Sequence, residues 1–427
     1  MKVLVTGTGG REHTLVWKIA RSPRVKKIYC PGGNAGIANL AEVTPVDPGE
    51  NFSGLIEFCR REEIDLTVVG PEAPLAEGIV DAFQQSGLRI FGPSKEAARI
   101  EASKYFAKEI MLTASVPTGF AQVFSSSEDA IRYLDSRSFP IVIKADGLAA
   151  GKGVIVASSG EEAEKAIHSL VNDRKLGAAG DRILIEEFLA GEEASLLAFT
   201  DGETILPMDS AQDHKPIGEG DTGPNTGGMG AYSPAPVVTP EIFQRCASEI
   251  FQPTLEELKR RGILYRGVLY AGLMITELGP RVLEFNCRFG DPETQALLPR
   301  LKTDLVDIME ATIDGRLSEI TLSWKPDPAV CVIMSSGGYP GKYEKGKEIH
   351  GLERIPPLPD RMVFHAGTRL EGDKIVTNGG RVLGVTALAP TLPEAIEKTY
   401  SIVNMIEFEN MYFRKDIGQK ALERFSR

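Results

Sequence analysis

The chain has 427 residues, of which 42% are hydrophobic and 25% charged, with a formal net charge of −11. This composition fits a soluble globular enzyme of about three domains, and the acidic balance argues against a general nucleic-acid or membrane surface. Five scattered cysteines form no Cys-x-x-Cys pair, so reduced thiols in a cytoplasmic protein are expected, not a disulfide frame or a zinc site. Met1-Lys2 runs straight into a strand, so no signal peptide is expected, and no apolar run nears the ~18 residues of a membrane span.

Lys2 to Thr6 reads as a short apolar strand, followed by the loop Gly7-Thr8-Gly9-Gly10 and a helix from about Arg11 to Ala20. Strand Lys27 to Cys30, helix Ser53 to Glu62, strand Leu66 to Val69, helix Leu75 to Gln85 and strand Arg89 to Phe91 come next. This alternation predicts a parallel sheet with helices on its faces and ligands at the carboxyl ends of its strands. The first loop fails the dinucleotide fingerprint. Glu12 stands where the third glycine belongs, and Pro31-Gly32-Gly33 replaces the acidic residue after the second strand. What survives is an anion site, because N–H groups at a helix N-terminus attract a phosphate; a tight turn with no ligand is the alternative. His13 reads as a packed helix residue, not a general base.

Ser94 and Lys95 open a helical stretch through Met111, with Lys104 and Lys108 one turn apart. In isolation Lys104 reads as a surface lysine. Ile141 to Lys144 is an apolar strand ending in a lysine, a costly place for a charge unless an anion meets it. The alternative is a stem lying along the sheet with its head in water. The segment from Ala145 to Gly153 is one residue short of a Walker A loop, has Gly153 in place of Ser/Thr, and precedes the strand Val154 to Ala157. It therefore reads as a hairpin whose glycine-rich tip folds over phosphates.

Ser158-Ser159 caps a helix from about Gly160 to Val171. Strands Arg182 to Phe188 and Glu192 to Phe199 then flank a turn that reads either as a hinge or as a plain hairpin. Backbone around Glu187 to Leu189 suits a base edge, and Glu192 or Glu193 suits ribose hydroxyls. Asp209 to Tyr232 reads as a long loop that buries little apolar surface and binds substrate; such loops are usually functional or disordered. An amphipathic helix from Glu241 to Arg261 and a buried strand from Gly267 to Thr276 complete the middle of the chain.

Arg281 to Gln295 concentrates the chemistry. Strand alternation puts Glu284, Asn286 and Arg288 on one face and Leu283, Phe285 and Cys287 on an apolar one. Gly290 permits a turn, Asp291 suits the N-cap and Pro292 the first helical position. Glu and Asn oxygens two residues apart suit a hard cation, and the arginine suits a carboxylate or phosphate. An ordinary polar outer face is the alternative. After Trp324-Lys325-Pro326-Asp327-Pro328, strands Ala329 to Ser335, Met362 to Gly367 and Arg381 to Ala387 and a helix from Leu392 to Ile406 read as a small α+β unit. Its glycine turns at 337–341 and 378–380 either border the nucleotide site or only connect strands.

Lysines on separate elements, a glycine-rich hairpin, a hinge and a Glu-x-Asn strand together resemble an ATP-grasp enzyme. Gly-Gly-Arg-Glu-His at 9–13, Lys-Ala-Asp-Gly-Leu-Ala-Ala-Gly-Lys-Gly at 144–153 and Gln-Asp-His-Lys at 212–215 carry a closer likeness. So do Gly-Pro-Asn-Thr-Gly-Gly-Met-Gly at 223–230, Arg-Phe-Gly-Asp-Pro-Glu-Thr-Gln at 288–295 and Asn-Gly-Gly-Arg-Val-Leu at 378–383. With these motifs the chain resembles the phosphoribosylamine–glycine ligase (glycinamide ribonucleotide synthetase) family.

The resemblance implies an α/β and α+β multidomain fold. An N-terminal parallel α/β substrate-binding domain would cover 1–102. An ATP-grasp domain would cover 103–325, with a lid at about 121–189, and a C-terminal α+β domain 326–427. It also implies the reaction: ATP phosphorylates the glycine carboxylate, and the amine of 5-phosphoribosylamine attacks the glycyl phosphate. The products are glycinamide ribonucleotide, ADP and phosphate, a step of purine biosynthesis. Another ATP-grasp ligase with a different acid or amine is the rival. An oxidoreductase would need the dinucleotide fingerprint, and a nucleotide sensor would have no need of the Glu284 face.

Carried onto this sequence, the resemblance gives ATP to Lys104, Lys144, Gly151, Lys152 and Gly153, and to the hinge residues Glu186, Glu187, Phe188, Leu189 and Glu193. Glu284 and Asn286 would carry Mg2+ or Mn2+. Gly9, Gly10, Asn34, Pro71, Glu72, Thr226 and Gly227 would take substrate. Asp213 and Lys215 would lie at the reacting groups, and Arg288 would hold glycine or the acyl phosphate, so that Arg288, Lys144, Asp213 and Lys215 form the catalytic set. Thr8 stands where serine is expected, and Tyr270-Ala271-Gly272-Leu273 offers no second metal carboxylate, which leaves the number of ions open. The partners implied are small molecules only, with neither nucleic acid nor membrane, for a monomer or weak homo-oligomer.

Overall fold

The computed structural model describes residues 1–148, 153–172 and 182–425. Strands Lys27–Tyr29, Lys2–Thr6, Leu66–Val69 and Ile90–Phe91 lie side by side in that order, all parallel. Their apolar runs are buried on both faces: Val3 and Val5 enter one core and Leu4 the other. The stretch expected as one helix from 75 to 85 is two, Glu72–Glu77 and Ile79–Gln85. Gly78 between them has φ +100°, a left-handed value that breaks the helix at little cost for glycine. The stretch from 94 to 111 is also two helices, Lys95–Ala102 and Lys104–Thr113. Ser103 divides them because its hydroxyl caps the second, accepting from Phe106 N–H at 3.1 Å.

A second, antiparallel sheet orders Ala121–Phe124, Ile183–Glu187, Ile141–Ala145 and Val154–Ala157, with its own core under helices Ser127–Leu134 and Gly160–Ile167. A third orders Ile205–Pro207, Glu192–Thr200, Gly267–Thr276 and Gly279–Asn286. Strands Ile183–Glu187 and Glu192–Thr200 therefore belong to different sheets, and the turn at 188–191 is a crossing between them, not a hairpin.

The expectation of a long loop from 209 to 232 is overturned. Gln212–Asp213 and Gly230–Ser233 are strands in a five-stranded sheet with Ala329–Ser335, Arg381–Leu388 and Arg361–His365. Met229, Ala231 and Tyr232 are fully buried. The strands are too short and glycine-rich to announce themselves; pairing with a partner about a hundred residues later makes them.

His13, on helix Gly10–Ile19, docks the first sheet against this one, its Nδ1 accepting from His365 N–H at 2.7 Å. Burial, with His365 opposing a second charge, pushes His13 down to about 3. Burial pushes His365 to about 4, and burial with Arg414 and Lys420 pushes His214 to about 4. A free histidine titrates near 6.5, so as pH falls the unfolded chain takes up these protons first. Their contribution to stability is complete above about pH 6.5 and is lost toward pH 4, at about 1.4 kcal/mol per pH unit per histidine. Urea unfolding at pH 7 and pH 5 is expected to show the lower midpoint at pH 5, with a smaller difference in His13→Asn.

Candidate active site

Strand Gly279–Asn286 does not alternate as its sequence implies. Glu284 pairs with Gly272 while Val282 pairs with Leu273, so Leu283 is the extra residue of a β-bulge. The apolar side is Val282, Phe285 and Cys287, and Leu283 is left half-buried and off it. The bulge has a use: Lys144 Nζ donates to the Leu283 carbonyl at 2.9 Å. Gly272 opposite leaves room for that side chain, since a Cβ there would crowd Glu284 Cγ at 3.2 Å. The helix after the strand starts at Glu293 with Pro292 at its N-cap, so Asp291 does not cap it. Asp291 is drawn away by Arg381 at 3.2 Å and Gln295 Nε2 at 2.7 Å.

Cations converge on this strand from three other elements. Lys144, 6% exposed, ends its strand 3.0 Å from Glu186 Oε2, and Lys108 lies 3.4 Å from the other oxygen of Glu186. Lys104, at the start of its helix, donates to Gly147 O at 2.9 Å and so fixes the entry to the glycine-rich tip. Lys215 Nζ lies 3.1 Å from Glu193 and 3.8 Å from Glu284. Burial pushes the Glu284 carboxyl up, but Lys215, Lys144, Lys104 and Arg288 outweigh it and hold it below the usual carboxylate range. Glu284 is thus an anion facing four cations, with 34% of its side chain still open to the cleft. Lys104 is pushed down by burial, with Glu284 opposing. Gly153 is buried beside the strand end, its carbonyl accepting from Ala145 N–H at 2.8 Å; Gly151 and Lys152 lie outside the described residues.

At the crossing between sheets, Glu187 and Phe188 are exposed and Leu189 is half-exposed. Glu187 pairs with Arg281 at 2.9 Å. Glu186, one residue earlier, points inward, so it belongs to the lysine cluster and not to the edge of the crossing.

The N-terminal residues are arranged differently from expectation. Gly9 N–H donates to Glu12 Oε2 at 2.6 Å, and Arg11 N–H to Asp291 at 3.4 Å. The helix N-terminus at Gly9-Gly10 is therefore met by the chain's own carboxylates. Glu12 is buried against Gly70, where a Cβ would stand 2.7 Å from its Cδ, so its carboxylate fills the space that a dinucleotide glycine leaves open. Asn34 is fully committed: its amide donates to Thr8 O at 2.9 Å and His365 O at 2.8 Å, and its carbonyl accepts from Gly36 and Ile37 N–H. It ties the first sheet to the C-terminal one.

Pro71 caps the helix that starts at Glu72. Glu72, partly open, lies 3.3 Å from Arg288 Nε; burial pushes its carboxyl up, but Arg288 and Arg11 pull it below its usual value. Arg288 also reaches Glu101 at 3.0 Å and Asn286 Oδ1 at 3.1 Å. Asp213 Oδ1 accepts from His214 N–H at 2.6 Å. Burial and the charge of Glu293 push the Asp213 carboxyl well above its usual range. Thr226 Oγ1 donates to Lys215 O at 2.7 Å, and Gly227 N–H to Tyr339 Oη at 3.0 Å. Gly228, at φ +111°, leaves room for Asp213, whose Oδ1 a Cβ would meet at 2.7 Å.

The structure therefore gathers Lys104, Lys144, Lys215, Glu193, Glu284, Asn286 and Arg288 in one place, while Asn34 and Gly9 lie in the loops at the first sheet with the internal hydrogen bonds just given. Sequence reasoning missed Glu101, which accepts from Cys287 N–H at 2.7 Å, and Glu293, which is buried under the hydroxyls of Tyr270 at 2.7 Å and Ser195 at 3.1 Å. Glu293 stands inside the motif at 288–295 but was given no role of its own; Glu101 carries no local signal. No group of three or more His, Cys, Asp or Glu forms a metal cage among the described residues. A charged, part-open Glu284 with the Asn286 carbonyl is instead the sparse oxygen set that Mg2+ accepts when phosphates complete the shell.

Models of the phosphoribosylglycinamide synthetase N domain, ATP-grasp (A) domain and C domain match residues 1–101, 102–294 and 329–420. The chain is similar to the phosphoribosylamine–glycine ligase of Allochromatium vinosum, 52% identical over 426 residues and covering 99% of each chain. It is equally similar to that of Salmonella typhimurium, 52% identical over 427 residues with 99% of each chain covered. Among solved structures, the Thermotoga maritima phosphoribosylamine–glycine ligase superposes with a TM-score of 0.86 at 32% identity, covering 98% of this chain and 100% of that one. A biotin carboxylase domain from Hydrogenobacter thermophilus, solved with MgADP and bicarbonate, shares the fold at a TM-score of 0.73 and 16% identity, covering 96% of this chain and 91% of that one.

Proposed function

The chain belongs to the phosphoribosylglycinamide synthetase family, and from that premise we propose how its residues ligate glycine to 5-phosphoribosylamine with ATP. The observation that carries the reading is the convergence of Lys144, Lys104 and Lys215 on Glu284 in one cleft. A carboxylate has to approach a triphosphate, and only positive charge fixed there in advance makes that approach favourable.

Backbone at 187–189 receives the adenine edge, and Glu193 the ribose. Lys144, Lys104 and Lys152 hold phosphate oxygens under the glycine-rich tip. A divalent cation, Mg2+ or Mn2+, held by Glu284 and Asn286 supplies charge neutralisation and Lewis acidity at the phosphates. Arg288 orients the glycine carboxylate, whose oxygen bonds to the γ-phosphorus as ADP leaves. The phosphoribosylamine nitrogen then bonds to the glycyl carbon, phosphate leaves, and the nitrogen gives up a proton. Asp213, two residues from Lys215 and with its carboxyl raised by burial and Glu293, is the group to which that proton is assigned. Glu72, Pro71 and the Thr226-Gly227 turn hold the phosphoribosyl group. Asn34 and Gly9 act at one remove, by fixing the loops around it.

In this reading residues 1–102 bind the amine substrate, 103–325 form the ATP-grasp domain with its lid at about 121–189, and 326–427 close the cleft. The chain works in the cytoplasm on small molecules alone, as a monomer or weak homo-oligomer. Among the described residues no helix is long and apolar enough to cross a membrane.

ADP release is expected to require glycine and phosphoribosylamine together and to fall to background when either is omitted. Full turnover with another small acid in place of glycine would overturn the assignment.

A further inference from the structure

We propose that Tyr412 and Arg414, near the C-terminus, are positioning residues for the ligation: they hold the hairpin Pro216–Gly218/Thr222–Asn225, so that Asp213, Lys215 and Thr226 keep their places in the cleft. The proposal rests on the reading of those three residues given above.

The hairpin leaves the cleft at the residue after Lys215 and re-enters it at the residue before Thr226. Its base is tied where Thr226 N–H and Oγ1 both donate to Lys215 O, at 2.8 and 2.7 Å. Among the described residues its two strands pair only with each other, and a lone two-stranded hairpin is marginal in water. Its orientation therefore has to be set from outside.

Residues 412–420 supply that support. Tyr412 Oη donates to Ile217 O at 2.9 Å. Arg414 Nη1 donates to Pro216 O at 3.0 Å and to Asp221 Oδ1 at 2.9 Å, while Nε and Nη2 bind Asp416 at 2.8 and 2.7 Å. Gly220 N–H donates to Asp416 Oδ2 at 2.8 Å, and Lys420 pairs with Asp221. The Arg414 side chain is 0% exposed. Its partners Asp221, Asp416 and Lys420 stay partly open, but the Arg414 guanidinium itself is enclosed, so a misplacement of the hairpin leaves that buried charge short of partners.

His214 sits between Asp213 and Lys215, its ring is buried, its Nδ1 lies 3.2 Å from Gly230 O, and its Nε2 has no hydrogen-bond partner among the described residues. Burial, with the charges of Arg414 and Lys420, disfavours its protonation. The direct link runs through Pro216, the residue after Lys215, whose carbonyl Arg414 Nη1 holds at 3.0 Å, so a shift of Arg414 is passed to that cleft lysine.

The test uses the full-length enzyme and measures kcat, KM for each substrate, unfolding midpoint and amide exchange over 213–228. Tyr412→Phe removes one hydroxyl from a part-exposed ring and is expected to lower kcat about 3- to 10-fold, with KM for ATP and the midpoint unchanged and exchange at 217–226 faster. Asp221→Asn is expected to lower kcat further. Arg414→Lys is expected to recover part of what Arg414→Ala loses. Wild-type kcat and wild-type KM for glycine and phosphoribosylamine in both Tyr412→Phe and Asp221→Asn would overturn the proposal. With Lys215→Ala inactive beside them, the positioning role alone falls; with Lys215→Ala also at wild-type rate, the reading of the cleft falls with it.

Discussion

Replacing Glu284 with alanine is expected to lower ADP release about 10²- to 10³-fold, the loss seen when one preorganised electrostatic group is removed from an active site. Its carboxylate faces Lys215, Lys144, Lys104 and Arg288, and those charges keep it ionised despite burial. Alanine leaves the cations to repel one another and removes the charged half of the proposed metal seat. The fold is expected to survive. The nearest ion-pair contact of Glu284 is 3.8 Å, and a third of the side chain is open, so the unfolding midpoint should move little. Glu284→Gln separates two contributions, since it keeps the oxygen and the shape but not the charge. It is expected to fall between the wild type and alanine, with activity partly recovered at high divalent-cation concentration. A steady-state coupled assay with a parallel thermal melt checks both. Near-normal turnover in the alanine variant would sink the electrostatic account of the cleft.

The sequence made the N-terminal sheet legible because its elements are local: an apolar run, a glycine turn and an amphipathic helix each announce themselves within about ten residues. The same holds for Lys144, whose charge in an apolar run demanded a partner; the partner, Glu186, lies on the adjacent strand. What could not be read depends on distant pairing. The bulge at Leu283 exists only in register with Gly272, and a one-residue slip reverses which side chains face the core. The strands at 212–213 and 230–233 exist only against Ala329–Ser335. The motif that points to Asn34 and Gly9 does not show which internal hydrogen bonds those residues make. The Asn34 amide has four protein partners, and the helix N-terminus at Gly9 has Glu12. Glu12 breaks the dinucleotide fingerprint in the sequence, and in the structure its side chain lies against Gly70.

The second large effect is expected from Lys144→Met, and its interest lies in separating stability from catalysis. Met keeps most of the length and apolar volume of the stem but removes the charge. Glu186, 6% exposed, then retains, among the described residues, the ion pair with Lys108 at 3.4 Å, and the Leu283 carbonyl loses its donor. Stripping one partner from a buried ion pair costs about 3–5 kcal/mol when nothing replaces it. The remaining lysine reduces that, so a loss of about 1–3 kcal/mol is expected in urea unfolding. ATP turnover is expected to drop about 10²-fold or more, because the phosphate loses a cation fixed in advance. The double variant Lys144→Met/Glu186→Gln decides what the lysine is for. Neutralising Glu186 removes the uncompensated charge, so stability should return toward wild type, as it does when both members of a buried pair are replaced. Turnover should not return, since the γ-phosphate still meets no ammonium there. Recovery of both would mean that Lys144 serves only to neutralise Glu186, leaving Lys104 and the glycine-rich tip to hold the triphosphate.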